Sequence, residues 1–311
     1  GLPMRKKMTP LVALKRYWQL YLFLLIPLAY IITFKYAPMV GIQLAFKNFE
    51  YDKGLFGSPW IGLRHFQRFF GSYIFARVLV NTLRIAILSM IFSMPFPILF
   101  ALLLNSINAK RYKKIVQTIT YIPHFISTVV LVGMLMQLFN PNVGVYGVIY
   151  KSLTGTKPAD PFAIPEAFFY MYIGSGIWKS FGWGSIVYLA ALTNVPPELY
   201  EAAEIDGASR LQRMWSIELP AIVPIVVIHL IMNCGSILGV GFQKIYLMQN
   251  DLNIRLSEVI STYVYKQGLG NGSRSDYAYS TAVDLFNSVV SLIMIVSVNH
   301  ISRRVNETSL W

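Results

Sequence analysis

The sequence predicts an all-α, polytopic membrane protein with six transmembrane helices. Of its 311 residues, 55% are hydrophobic and only 13% are charged, whereas about a quarter of the residues in a soluble domain carry charge. The hydrophobic residues form six runs, and each is close to the roughly 20 residues that a helix needs to cross a bilayer core. Each run must be helical, because lipid offers the backbone no hydrogen-bonding partner.

The six predicted spans follow one another in a single membrane domain, 17–301, which lies between terminal segments 1–16 and 302–311. They cover approximately residues 17–37, 78–104, 115–139, 167–194, 221–248 and 280–301. Pro95 and Pro97 interrupt the second span, and Pro123 interrupts the third. Because proline lacks a backbone donor and clashes with the preceding turn, we expect both helices to be kinked.

Lysine and arginine in the connecting segments predict the orientation of the chain. Basic clusters precede the first span, in "MRKKM" (4–8), and lie between the second and third spans, in "KRYKK" (110–114). Because basic loops favour the cytoplasmic side, both termini and the connection 195–220 are predicted to be cytoplasmic. The net charge of +13 then suits anionic lipid head groups of the bilayer better than nucleic acid, which we do not expect as a partner.

The connection 195–220 has the pattern of two short helices joined at a glycine. Pro197 suits a helix start, Gly207 accepts the left-handed backbone of a sharp helix end, and Ser209 can cap a second helix. The apolar residues here cannot all be buried within so short a segment, so they would meet either a groove on another protein or the lipid surface. Glutamates on the first helix disfavour the negatively charged lipid surface.

The same connection carries a motif that resembles the EAA loop of ABC importer permeases. The family pattern is EAA, three residues, Gly, nine residues, Ile, any residue, Leu and Pro, and every position is matched. The matching residues are Glu201, Ala202, Ala203, Gly207, Ile217, Leu219 and Pro220. Stretches 34–49, 57–66 and 257–269 are similar to the carbohydrate branch, above all to LplB-like permeases of oligosaccharide and polysaccharide uptake. The resemblance implies the type I ABC importer permease fold in a bacterial plasma (inner) membrane.

The resemblance also implies how this segment works and which partners it has. The segment would be a coupling helix in a cleft of a cytoplasmic ATPase, with Glu201 in contact, Ala202 and Ala203 permitting close approach, Gly207 making the turn and Leu211 on the apolar face. The implied partners are a second homologous permease, two copies of the ATPase and an extracytoplasmic solute-binding protein. The binding protein would dock on the long external loops, 40–77, 140–166 and 251–279.

No catalytic or cofactor chemistry is predicted for this chain. The phosphate-binding pattern G-x-x-x-x-G-K-[ST] does not occur, so we expect ATP and magnesium to bind the partner ATPase instead. The four histidines, His65, His124, His229 and His300, lack metal-ligand spacing. The chain is therefore expected to be a transport subunit without enzymatic activity of its own.

Aromatic and polar side chains within the spans are candidates for the transport path. The apolar faces of sugars stack on aromatic rings, although packing in the core or against lipid is the alternative for each ring. The aromatic candidates are Trp178, Phe181, Trp183 and Tyr188. Asn233 would either contact substrate or bond between helices, while Arg84 and Lys179 would either line the path or extend towards an interface.

These observations lead to one hypothesis and two alternatives. The hypothesis is a permease subunit of an ATP-driven, binding-protein-dependent importer of a carbohydrate, either an oligosaccharide or a polysaccharide fragment. The first alternative is a permease for a peptide or an amino acid. The second is a membrane scaffold without a transport role.

Overall fold

The computed structural model describes residues 16–235, 238–270 and 275–306, with side chains described up to residue 303. Within these ranges the chain is helical and contains no β-strand. An isolated antiparallel bridge joins Lys47 to Trp60 in the segment 40–77. The predicted all-α class is therefore confirmed.

The α-helices within the described ranges are numbered here in chain order. They are α1 Trp18–Ile31, α2 Gly54–Gly57, α3 Arg64–Phe70, α4 Tyr73–Ser93, α5 Pro95–Asn105, α6 Lys110–Tyr121, α7 Thr128–Leu138, α8 Val145–Thr154, α9 Ala167–Leu192, α10 Pro197–Ile205, α11 Arg210–Arg213, α12 Leu219–Gly235, α13 Phe242–Met248, α14 Ile254–Ser257, α15 Ile260–Tyr265 and α16 Tyr277–Asn306. Helical turns of tighter or wider pitch occupy Ile32–Tyr36, Ala37–Phe46, Ile122–Phe125, Met214–Glu218 and Lys266–Gly270.

Four continuous helices are long and apolar enough to cross a membrane: Trp18–Phe46, Tyr73–Asn105, Arg210–Gly235 and Tyr277–Arg303. A bent pair, Lys110–Phe125 with Thr128–Leu138, is a fifth candidate. The predicted fourth span corresponds to α9, whose 26 residues are sufficient in length but less apolar because they include Lys179 and several glycines and serines. The described helices are therefore consistent with six spans, and that number stays a prediction.

The third predicted span, 115–139, is wrong as a single helix. After α6 ends at Tyr121, the tight turn Ile122–Phe125 redirects the chain, and the two helical parts are bent by 98°. Pro123 lies in this turn, and the side chain of Ser127 then accepts a hydrogen bond from the Val130 N–H to start α7. The interruption expected at Pro123 is confirmed, and a bend of this size requires a new helix start.

The fifth predicted span, 221–248, also differs from the observed helix. The described helix runs as far as Gly235, residues 238–241 are not helical, and a separate helix, α13, begins at Phe242. The glycines at 239 and 241 give the non-helical stretch low helical propensity. At its other end the helix is longer than predicted, because Arg210–Gly235 is continuous through Pro220. The wider π turn Met214–Glu218 precedes this proline and is the kind of local adjustment that accommodates a missing backbone donor.

Helix α9 lies at the centre of the packing. An added Cβ at Gly182 would be 2.2 Å from the carbonyl oxygen of Thr120, so the glycine allows α6 to approach the backbone of α9. Among the described residues, the three largest clusters of buried side chains lie one at each end of α9 and one between α3, α4, α15 and α16. Their members include Ile85, Val132, Phe168 and Ile245 in the first, Ala101, Leu104, Leu192 and Ile222 in the second, and Phe69, Val78, Ile260 and Tyr279 in the third.

Candidate functional site: the coupling segment and the cavities between the spans

The segment 195–220 folds as the two joined helices that the sequence predicts. Helix α10 starts at Pro197 and gives way to Gly207, whose φ is +73°. The Ala208 N–H donates to the Ala203 carbonyl at 2.8 Å, which is the closing bond of a Schellman motif and requires the left-handed glycine. Ser209 and Gln212 then form a reciprocal capping box that starts α11. The predicted turn and cap are confirmed.

The outer surface of this segment exposes large apolar side chains. Ile205, Leu211 and Trp215 have exposed fractions of 87%, 62% and 63%, so no described part of the chain covers them. Glu201 and Ala202 are also exposed, and Ala203 is half-buried. We call Glu201, Ile205, Leu211 and Trp215 the coupling surface. Its apolar side chains and sharp turn suit insertion into a groove on another protein.

The end of the motif faces the opposite way, towards the spans. Leu219 packs against the buried cluster that contains Leu192 and Ile222. Ile217 and Pro220 line a cleft of about 460 Å³ with Leu199 and Ala191. The motif therefore divides into an exposed part around Gly207 and a packed part around Leu219.

A buried polar contact joins the coupling segment to the second span. Glu218 is 5% exposed, and its Oε1 accepts a hydrogen bond of 2.8 Å from Nδ2 of Asn105 at the end of α5. The same amide lies 3.4 Å from the hydroxyl of Tyr200 in α10. Burial raises the pKa of the Tyr200 phenol, and the nearby Glu218 carboxylate adds to this. Sequence reasoning missed this contact, although a carboxylate between apolar neighbours was a usable signal.

A cavity of about 470 Å³ lies between α4, α9 and α12. Tyr188 and Asn233, two of the predicted substrate-path residues, line it together with His229, Ser180 and Gly184. The Tyr188 hydroxyl is 2.9 Å from His229 Nδ1. Ser180, Gly184 and Tyr188 share one face of α9 because they follow one another at four-residue spacing.

The other three aromatic candidates point elsewhere. The ring of Phe181 meets Phe100 edge-on at 5.1 Å, and Trp183 stacks on His124 at 4.7 Å with an interplanar angle of 4°. Trp178 is half-exposed, and none of the three lines the cavity. The helical rotation of about 100° per residue turns Trp178 and Trp183 away from the Ser180 face. Phe181 lies close to the direction of Tyr188, and its ring packs against Phe100 instead. Substrate contact by these three rings stays a prediction.

A second cavity, of about 300 Å³, adjoins the first and shares Ser89, Ser93, Tyr172 and Ser180 with it. Lys179 of α9 and Lys244 of α13 line this cavity. The ammonium of Lys244 donates to the Tyr172 carbonyl at 2.6 Å and lies 4.6 Å from the centre of the Tyr172 ring. Sequence reasoning missed Lys244, although a lone lysine within the apolar run 221–248 was visible.

The segment 40–77 and the described parts of the segment 251–279, both predicted to be external, pack together around charged contacts. Arg77 of α4 pairs with the buried carboxylate of Glu258, and Arg68 of α3 bonds to Asp276 at 2.8 Å. Asn81 donates to the carbonyls of Arg255 and Glu258, both at 3.0 Å. These contacts give the predicted docking surface for a binding protein a defined shape.

The described part of the chain contains no group of three or more His, Cys, Asp or Glu residues that could hold a metal ion. The histidines make other contacts instead. His65 bonds to the Lys47 carbonyl at 3.0 Å, His124 stacks on Trp183, and His229 bonds to Tyr188.

Comparison with known proteins gives consistent matches over most of the chain. Residues 93–307 match the sequence profile of the family described as "Binding-protein-dependent transport system inner membrane component". Protein LplB of Bacillus subtilis (strain 168) is 42% identical over 301 residues, which is 97% of this chain and 93% of LplB. The polygalacturonan/rhamnogalacturonan transport system permease protein YteP of the same organism is 40% identical over 307 residues, covering 98% of this chain and 94% of YteP.

A solved structure shares the fold. It is the crystal structure of a bacterial alginate ABC transporter in complex with an alginate pentasaccharide-bound periplasmic protein. The matching chain superposes with a TM-score of 0.86 and 40% sequence identity, covering 96% of this chain and 98% of that chain.

Proposed function

Because the chain belongs to the family of binding-protein-dependent transport system inner membrane components, we propose that it is the permease of an importer for a carbohydrate oligomer. It is a multi-pass inner membrane protein and a subunit of an ABC transporter. The observation that carries the substrate class is similarity along nearly the whole chain to YteP, a polygalacturonan and rhamnogalacturonan permease, and to the alginate transporter. An oligosaccharide or a polysaccharide fragment is therefore the proposed cargo.

The proposed partners follow from the same relationship. A periplasmic binding protein would deliver the substrate to the external segments, and a second homologous permease would complete the path. Two copies of a cytoplasmic ATPase would hold ATP and magnesium and would receive the coupling surface in a cleft. The basic clusters at 4–8 and 110–114 support a cytoplasmic position for this side of the chain and for both termini.

The geometry supports a direct route for mechanical coupling. Arg210–Gly235 is one continuous helix, so a movement of Leu211 at its start would displace His229 and Asn233 at the cavity. Glu218 connects this helix to the end of α5 through Asn105. Closure of the ATPase dimer would thus move two walls of the cavity together. ATP and the loaded binding protein would drive the cycle by binding its two conformations with different affinities.

Co-purification of the whole transporter tests this proposal. The four kinds of subunit are co-expressed, with the tag on this permease, and the double variant E201A/G207V is compared with E166A. Glu166 is an exposed glutamate before α9, outside the coupling segment, and serves as the matched control. We expect E201A/G207V to insert normally and to lose the ATPase, and E166A to retain it.

Uptake by the same complex in proteoliposomes provides the functional measurement. We expect ATP-dependent uptake of carbohydrate oligomers by the wild type, and loss of that uptake in E201A/G207V. ATPase retention with normal uptake in E201A/G207V would contradict the coupling role. Uptake of peptides in place of carbohydrates would contradict the proposed substrate class.

A further inference from the structure

Two lysine side chains converge on one cavity in the transport part of the chain. Lys179 lies near the midpoint of α9, and Lys244 lies in α13, yet both line the cavity of about 300 Å³. This cavity shares four lining residues with the larger cavity that contains Tyr188 and Asn233. Lys179 therefore faces the proposed path rather than an outer interface, which decides between the two alternatives that its sequence position leaves open.

Within the described ranges, no acidic side chain forms an ion pair with either of these two lysines. Among the described residues that line the two cavities, none is an aspartate or a glutamate. The ion pairs found within the described ranges involve other lysines and arginines. A cationic side chain within a membrane span, as Lys179 is in the predicted fourth span, is costly and commonly marks the path of a substrate or an ion. Two cations at one cavity also repel each other, and an anionic ligand would relieve that repulsion.

The position of Lys244 is well defined by its neighbours. Its ammonium donates to the Tyr172 carbonyl and lies over the Tyr172 ring. A Cβ added at Gly176 would lie 3.4 Å from the Lys244 Nζ, so the glycine leaves space for this head group. An ammonium has three N–H donors, and the bond to Tyr172 uses one of them, which leaves donors for a ligand.

We propose that Lys179 and Lys244 form a binding site for carboxylate groups of the transported carbohydrate. The substrate is then an acidic oligosaccharide that contains uronate units. This inference rests on the proposed function and specifies its substrate class. Ser89, Ser93 and Thr128 line the same cavity, and their hydroxyls can exchange hydrogen bonds with sugar hydroxyls. Charge-assisted hydrogen bonds from the two ammonium groups supply the preference for an anion.

Transport by the complete complex tests the site. Proteoliposomes that contain both permeases, the ATPase and the binding protein are given a pool of uronate oligosaccharides and a pool of neutral oligosaccharides. Imported sugars are identified by mass spectrometry. The wild type is compared with K179Q, K244Q and the charge-preserving variant K179R. The matched control is R84Q, because Arg84 is a cation within α4 that stacks on Phe169 and lines neither cavity.

We expect the wild type and R84Q to import uronate oligosaccharides. Each glutamine variant should lower the initial rate at least about tenfold, since a hydrogen bond to a charged group is lost. K179R should retain most of the rate. Complex assembly and ATP hydrolysis stimulated by the binding protein should be unchanged in every variant, which separates loss of substrate binding from misfolding.

The outcomes that contradict the site are distinct from those that contradict the proposed function. Wild-type rates of uronate uptake in both K179Q and K244Q would overturn the carboxylate site, as would a K179R variant no better than K179Q. Import of neutral sugars only would also overturn it while leaving carbohydrate import intact. Import of neither pool by the wild type would overturn the proposed function itself.

Discussion

The Tyr188 hydroxyl lies 2.9 Å from Nδ1 of His229 and joins α9 to the helix that continues from the coupling segment. Both residues line the larger cavity. The contact therefore lies where movement of the Arg210–Gly235 helix would change the shape of the proposed path. This contact both packs the two helices together and would have to adjust when one of them moves.

Removing this hydrogen bond should destabilise the protein modestly. Tyr188→Phe keeps the ring and deletes the hydroxyl, so we expect the free energy of unfolding to fall by about 1 kcal/mol. Tyr246→Phe is the control, because Tyr246 is partly exposed and its ring packs beside Phe242. Thermal unfolding of the purified complex measures both. If Y188F and H229A had fully additive effects in a double-mutant cycle, the coupling between the two side chains would be refuted.

The left-handed turn at Gly207 should be essential for coupling. Gly207 has a φ of +73° and no atom within 4 Å of an added Cβ. Gly207→Val is therefore disfavoured by its backbone, at roughly 1–2 kcal/mol, and not by a clash. We expect this variant to insert and to hydrolyse ATP without uptake.

Gly155, at the end of α8, provides a matched control for that backbone effect. Its φ is also +73°, and an added Cβ there also meets no atom within 4 Å. Gly155→Val carries the same strain outside the coupling segment, so it should preserve the ratio of uptake to ATP hydrolysis. Equal loss of coupling in both variants would show that general destabilisation, rather than the position of Gly207, is responsible.

The hydrogen bond from Asn105 to the buried carboxylate of Glu218 should stabilise the protein. Asn105→Ala removes the donor that lies 2.8 Å from Oε1, and leaving a buried acceptor unpaired costs about 1–3 kcal/mol. We expect a lower unfolding temperature and weaker coupling of ATP hydrolysis to uptake. Asn108→Ala is the control, since Asn108 is an exposed residue that lines a cleft of about 500 Å³ together with Asn105 and Glu218. If N105A/E218Q recovers the stability that N105A loses, the unpaired charge of Glu218 is the cause of the loss. Equal stability of N105A and N108A would contradict a stabilising role for the bond between Asn105 and Glu218.

The contact between α6 and α9 should tolerate no side chain at Gly182. A Cβ there would be 2.2 Å from the Thr120 carbonyl oxygen, whereas a Cβ at Gly174 in the same helix meets nothing within 4 Å. Gly182→Ala should therefore lower the yield and unfolding temperature of the complex, as overpacking by added atoms typically costs 1–3 kcal/mol. Gly174→Ala should be neutral or stabilising by up to about 1 kcal/mol, because alanine is the better helix former. The reverse order would exclude a close contact at Gly182.

The local structure of the coupling segment could be predicted from its sequence. The helix start at Pro197, the left-handed turn at Gly207 and the cap at Ser209 all depend on residues within a few positions of one another. Local steric and hydrogen-bonding rules are therefore sufficient to predict them. The second short helix was not predicted to continue into the span, because the π turn at Met214–Glu218 accommodates Pro220 in a way that propensities do not describe.

The sequence by itself determined the helical class, the membrane environment and the two short helices joined at Gly207. Each depends on the length of a hydrophobic run, the placement of charges or the spacing of near neighbours, all of which can be read directly from the sequence. Only the tertiary structure decided which side chains meet across helices. It turned Tyr188 towards the cavity and Trp183 away from it, brought Lys244 beside Lys179, and paired Asn105 with Glu218. Those outcomes depend on helix rotation and on the close approach permitted at glycines such as Gly182, which arise from the packing of segments distant in sequence.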